Sequence, residues 1–281
     1  MPTTIRPMTP DDVGPAAASV LRGDWGNRGP FFAWAARHPQ ARPFVAESGG
    51  AVVGTAVGTV SGRVGWVGAV FVDGDRRGQG LGRGLTDAVV DALEAAGCRT
   101  LLLVATQAGR PIYERMGFRP DTTYHTIEAP GTGVAGASTP SAATLERWSP
   151  TDLDAMARLD RAVTGEDRRH LLEAFSSPAA ARVLREPSGE MRGFIVRAVW
   201  GGGATIAPRP EDGIAILEAR RVAAGPDRRV RAGLVTAGLH AMERLAPLGW
   251  TAAWSAPRLI RGEPLDWQPE GIWGQFNHAI G

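Results

Sequence analysis

One stretch limits the possible folds of this chain more than any other: Val70-Phe71-Val72-Asp73-Gly74-Asp75-Arg76-Arg77-Gly78-Gln79-Gly80-Leu81-Gly82. An apolar, β-branched run ends at Val72, and polar and glycine residues follow. From Leu85 onward Ala88, Val89, Ala92, Leu93 and Ala96 recur at helical spacing, and Gly97 stands where a helix would close. A strand that runs through a glycine-rich turn into a helix presents backbone N–H groups at the positive end of the helix dipole. The missing side chains at Gly78, Gly80 and Gly82 let an anion approach the main chain. The pattern predicts an α/β (α+β) fold with a diphosphate-binding loop, although a glycine-rich helix entry without a ligand would look the same over these few residues.

What the loop lacks narrows the ligand. A nucleoside-triphosphate loop needs a lysine after its last glycine, and this chain has no lysine. A dinucleotide fingerprint needs an acidic residue at the end of the following strand, and the apolar run Thr100–Ala105 ends without one. The spacing Arg77-x-x-Gly80-x-Gly82 instead resembles the acyl-CoA loop of the GCN5-related N-acetyltransferases. Downstream, Thr106-Gln107-Ala108-Gly109-Arg110-Pro111-Ile112-Tyr113-Glu114-Arg115-Met116-Gly117-Phe118 resembles the short helix, ending Tyr-Glu-Lys/Arg-x-Gly-Phe, that closes this family's fold. Tyr113 is one of only two tyrosines in the chain and stands at the position of the family's thiolate-protonating tyrosine.

The resemblance implies acetyl-CoA as co-substrate. Backbone N–H groups across Arg77, Gly78, Gln79, Gly80, Leu81, Gly82 and Arg83 would hold its pyrophosphate. The main chain of Phe71 and Val72 would pair with its pantetheine, and Tyr113 would be the general acid. The expected reaction is direct transfer to the primary amine of a small molecule. The alternatives are transfer of a longer acyl group, or a CoA-binding regulatory or scaffold protein without turnover. The base is open: Glu47, Asp24, Asp73, His38, His125 or a water chain could serve. The five histidines have no ligand spacing, so no metal is expected.

The chain reads in two parts. Residues 1–130 carry the loop and Tyr113 as a catalytic domain, residues 131–143 read as a linker, and 144–281 repeat the order of elements in outline. Each half is expected to be a mixed, splayed β-sheet flanked by helices. Strands are expected at Leu145–Trp148, Arg192–Trp200 and Arg228–Val235, with a helix over Glu211–Val222. This half resembles the C-terminal halves of tandem acetyltransferases of bacteria, with Asp160–Arg168 among the recognisable segments. It lacks the Arg-x-x-Gly-x-Gly loop, offers only Gly201-Gly202-Gly203, and has Met242 where the tyrosine would stand. It is expected to be a degenerate copy that covers the substrate side, with one CoA per chain. A shortened form ending near Ala143 is then expected to keep some affinity for acetyl-CoA and to lose acceptor selectivity or turnover. Trp267 and Trp273 could line a substrate pocket, and Arg258 and Arg261 could read an anionic group.

Composition adds limits. No apolar run approaches the ~18 residues of a membrane span, and the N-terminus has no hydrophobic signal region. The lone cysteine, Cys98, reads as structural and fits a cytoplasmic protein. A net charge of +2 with scattered arginines gives little reason to expect nucleic acid as a partner. The oligomeric state is open.

Overall fold

The computed structural model describes residues 2–133, 144–200 and 202–281. Most of the expected linker, residues 134–143, lies outside the described residues, as does Gly201. The chain forms two compact units. The first holds residues 1–120 together with Leu259–Pro264 and His278–Gly281; the second holds Asp121–Arg258 and Leu265–Asn277.

In the first unit the order is β1 (Thr3–Pro7), α1 (Val13–Arg22), α2 (Gly29–Ala35), β2 (Ala41–Ser48), β3 (Ala51–Ser61), β4 (Val64–Val72), α3 (Leu81–Ala95), β5 (Thr100–Val104) and α4 (Arg110–Arg115). Strands β1 to β4 pair antiparallel in sequence order, whereas β4 and β5 run parallel, as the α3 crossover requires. Beyond β5 the edge is taken by Leu259–Gly262, the last residues of β12 (Thr251–Gly262). The helical period read over Leu85–Ala96 places Leu85, Val89, Val90 and Leu93 against Val67, Leu101 and Leu103 of the sheet. Cys98 is buried in the same cluster, and burial pushes its thiol up to about 11.

Side chains alternate across a strand, so Trp66 and Gly68 face away from α3. There the first unit's own C-terminal residues pack: a Cβ on Gly68 would meet Ala279 at 2.2 Å, and one on Gly281 would meet Trp66 at 2.7 Å. The Glu263 main chain bonds Arg99 and Thr100.

In the second unit β6 (Arg119–Pro130) pairs antiparallel with β11 (Arg229–Val235) from Tyr124↔Val235 to Pro130↔Arg229. That ladder carries residues 121–130 into this unit, so the units divide ten residues ahead of the expected boundary at 130. The remaining elements are β7 (Thr144–Arg147), α5 (Leu153–Thr164), α6 (Arg169–Phe175), β8 (Ala181–Arg185), β9 (Met191–Arg197), β10 (Gly203–Ile206), α7 (Pro210–Ala224), α8 (Met242–Leu245) and β13 (Ile272–Gly274). A five-stranded sheet runs β13-β10-β9-β8-β7. The repeat is visible at the level of caps. Thr9 N–H donates to Asp12 and Ser149 N–H to Asp152, each at 2.7 Å, ahead of α1 and α5.

Candidate active site

The cleft of the first unit begins where two strands part. β4 and β5 pair only at Val64↔Thr100, Gly65↔Leu101 and Trp66↔Leu102. Past that point β4 bulges: Ala69 has φ +50°, its carbonyl accepts Thr55 Oγ1 at 2.8 Å, and the pairing with β3 shifts between Thr55 and Val57. Phe71 and Val72 pair with Thr55 and Gly54 on one side. On the side toward β5 the pairing with β5 ends at Trp66, and beyond it the Val72 carbonyl is met by the Arg77 side chain and not by a strand.

The loop that follows is shaped by two left-handed glycines. Gly78 has φ +76°, and Gly80, at φ +80°, is the N-cap of α3. No side chain caps the helix; its first internal bond runs from Gly84 N–H to Gly80 O at 3.0 Å. The N–H groups of Leu81, Gly82 and Arg83 therefore point out of the helix N-terminus. A Cβ at Gly78 or Gly80 would meet nothing within 4 Å, so the space in front of the main chain is open, as an anion cradle needs. Arg77 is committed locally, its Nε donating to Val72 O at 3.1 Å, and Arg83 lies 3.5 Å from Asp87.

One cavity of about 560 Å³ joins these parts. Phe71 and Val72 of β4, Arg77, Gly78, Gly80, Leu81, Gly82 and Arg83 of the loop and helix start, and Tyr113 of α4 all line it. Of the residues expected to hold the cofactor or act as the acid, only the exposed Gln79 does not line it. Sequence reasoning missed Trp25, Val70, Arg76, Thr106 and Arg115, which also line it. Trp25 arrives from the turn after α1 and meets Phe71 edge-on at 5.3 Å, a contact no local pattern announces.

Tyr113 is held by its neighbours. Phe118 meets its ring edge-on at 6.3 Å, and a Cβ on Gly109 would come within 3.0 Å of it. Burial pushes its hydroxyl up to about 12, so the phenol keeps its proton at neutral pH. The residues weighed as bases lie elsewhere. Asp73 accepts Ser19 Oγ at 2.8 Å and pairs with Arg22, Glu47 pairs with Arg6, and His38 packs on Trp34. His125 bonds Thr236, and Asp24 is exposed on a turn. No carboxylate or imidazole lines the cavity. Among the described residues no group of three or more His, Cys, Asp or Glu could hold a metal ion, and no helix is long and apolar enough to cross a membrane.

The corresponding place in the second unit is built differently. β13 pairs on the open edge of β10, Thr205↔Gly274 and Ile206↔Ile272. Helix α7 starts with Arg209-Pro210 and carries Glu211 and Asp212 in its first turn. Asp212 is buried and accepts Arg192 Nε at 2.9 Å. Met242 packs against this unit's core. Trp273 is a core residue whose Nε1 donates to Ala207 O at 3.0 Å, not a pocket wall. Trp267 lies under the Arg258 guanidinium at 3.8 Å; Arg258 is buried against Asp121, and Arg261 pairs with Glu94. Neither arginine is left to read a substrate charge, because each already has its carboxylate.

Residues 16–118 match the sequence model described as the acetyltransferase (GNAT) family. No curated protein matches the chain in sequence. Three solved structures are similar along most of its length. A candidate acetyltransferase of Pyrococcus horikoshii has a TM-score of 0.81 at 16% identity, covering 99% of this chain and 96% of that one. A GCN5-related N-acetyltransferase of Sphaerobacter thermophilus has a TM-score of 0.67 at 16% identity, covering 94% and 98%. A tandem GNAT protein from the clavulanic acid biosynthesis pathway has a TM-score of 0.62 at 16% identity, covering 94% and 100%. At such identities these three speak for the fold, while the sequence match speaks for the family. Residues 16–118 thus hold a domain that matches the acetyltransferase (GNAT) family in sequence, within a chain whose fold is that of the three solved structures.

Proposed function

We propose that this acetyltransferase moves the acetyl group of acetyl-CoA directly to the primary amine of a small molecule, with the first unit doing the chemistry. The observation that carries the reading is one cavity lined by the outward N–H groups at the start of α3, the unpaired edge of β4 and the Tyr113 ring. Leu81, Gly82 and Arg83 would hold the pyrophosphate through main-chain donors, each charge-assisted bond contributing about 1.5–3 kcal/mol. Phe71 and Val72 would align the pantetheine as an added strand, beside which the β4 backbone can polarise the thioester carbonyl.

The attacking amine must be neutral. As its nitrogen bonds to the carbonyl carbon and the carbon–sulfur bond breaks, its extra proton leaves through water, because the cavity lining offers no carboxylate or imidazole. Tyr113 donates to the departing sulfur. With a hydroxyl near 12 against about 8.5 for an ordinary thiol, complete proton transfer is uphill, so the phenol acts by donating a hydrogen bond to the sulfur as thiolate charge develops, and the thiol takes the proton as CoA leaves for water.

The second unit reads as a degenerate copy. Its own strand β13 takes the edge of β10 that a pantetheine would need, and Glu211 and Asp212 put negative charge at the helix start that a pyrophosphate would need. The test is a panel of amino acids, amino sugars and other small amines with acetyl-CoA, read by thiol release and product mass. Transfer to at least one small amine is expected. Release with none of them, alongside transfer from a longer acyl-CoA or to a peptide lysine, would reject the reading.

A further inference from the structure

A second cavity, of about 610 Å³, lies wholly within the second unit, and its charge is one-sided. Arg182 on β8, Arg197 at the end of β9, Arg220 in the last turns of α7, and Arg228, Arg229 and Arg231 around the start of β11 all line it, with no acidic residue among the lining. Glu128 on β6 answers two of them, Arg229 at 2.8 Å and Arg231 at 3.2 Å. Arg182 donates to the carbonyls of Pro178 and Ala181. Arg197, Arg220 and Arg228 form no ion pair among the described residues.

Arg220 is the most telling of the three. Its Nε is buried with no hydrogen-bond partner among the described residues. The adjacent Arg221 is fully engaged, with Pro130 O at 2.8 Å and Glu218 at 3.1 Å. Burial and the nearby Arg197 charge push Arg220 down to about 10, so it is still a cation at neutral pH. A half-buried guanidinium whose Nε is shut off from solvent and which stands near a like charge is costly to keep, and an anion in front of it removes both penalties. The helix leaves room for one: Ala219, Ala223 and Ala224 keep that side of α7 low, and Leu145, Ile195 and Val230 add an apolar wall.

We propose that this cavity binds a multiply charged, phosphorylated small molecule of nucleotide size. Arg197, Arg220 and Arg228 hold its phosphates, and its less polar body lies along Leu145, Ile195 and Val230. The guanidinium fork matches a phosphate bidentately, and the volume falls in the range of small-molecule sites. No aromatic side chain lines the cavity, so it offers no stacking platform of the kind single-stranded nucleic acid uses. The site lies at the C-terminal end of α7, not at a helix start, and does not depend on the transfer reading for the first unit.

ADP is the probe, titrated by calorimetry into the full-length protein carrying one equivalent of acetyl-CoA, so that the first unit's cleft is filled. One ADP per chain is expected, with affinity falling roughly tenfold or more in Arg220→Gln and in Arg197→Gln. Arg228→Gln, at an exposed turn, gives a third variant with little risk to folding. Inorganic pyrophosphate should displace ADP, and adenosine should not. Circular dichroism and acetyl-CoA affinity should be unchanged in all three variants. No ADP binding by the loaded wild-type protein would overturn the proposal, and so would an ADP affinity in the three variants equal to that of the wild type. A single-stranded RNA that binds more tightly than ADP with the same arginine dependence would assign the cavity to nucleic acid instead.

Discussion

Ala279 lies where a side chain on Gly68 would begin: a Cβ there would meet the Ala279 Cβ at 2.2 Å. The strand on which the cleft is built and the chain's last residues thus interlock within one unit. Gly68→Val should force His278–Gly281 off β4 and destabilise the protein by about 1–3 kcal/mol. A thermal melt would show it as a lower Tm, while acetyl-CoA affinity, which rests on the loop after β4, should hold. An unchanged Tm would mean that these residues do not pack against β4.

Gly80→Glu should weaken acetyl-CoA binding by more than roughly tenfold. The substitution puts a negative side chain into the open space in front of the α3 N-terminus and forces a non-glycine residue to φ +80°. The backbone strain costs only about 1–2 kcal/mol, so the fold should survive and calorimetry can read the loss directly. Full affinity in a folded variant would take the cofactor away from this loop.

Tyr113→Phe keeps the ring that packs on Phe118 and removes the hydroxyl. Turnover should fall roughly 10–10³-fold with acetyl-CoA affinity unchanged. Because burial pushes that hydroxyl up to about 12, no ionisation of Tyr113 should appear in the pH–rate profile below about pH 11. The raised value also means that the folded state holds this proton more tightly than the unfolded chain. Its contribution to stability is complete below pH 10 and is lost as pH climbs toward 12. Wild-type stability should therefore drop more steeply than that of the Phe variant across that window, in denaturant melts at stepped pH.

One acetyl-CoA should bind per chain. In the second unit β13 already occupies the edge of β10, and acidic residues stand at the start of α7. Calorimetric titration of the intact protein should give a stoichiometry near one. A value near two would show that the second unit keeps a working site.

A form ending near Ala143, expected to keep some acetyl-CoA affinity, would lack part of the first unit itself. Such a form loses Leu259–Gly262 beside β5, the Glu263 bonds to Arg99 and Thr100, and the packing of Ala279 on Gly68. Full-length variants are the better probes for that reason.

What could be read from residues alone was what depends on near neighbours. The strand ending at Val72, the left-handed glycines at 78 and 80, the apolar face of α3 and the segment around Tyr113 are all local. Their spacing fixes a backbone shape with its donors, whatever the rest of the chain does. The hydrophobic period said which residues are buried, not what buries them. Only the tertiary structure decided that β6 pairs with β11, that Leu259–Pro264 and His278–Gly281 belong to the first unit, and that β13 fills the edge of β10. It alone brought Trp25 to Phe71, and gathered arginines from β8, β9, α7 and β11 around one cavity. Strand pairing joins residues far apart in sequence, and its choice of partner is set by the whole core, so no short window of sequence contains it.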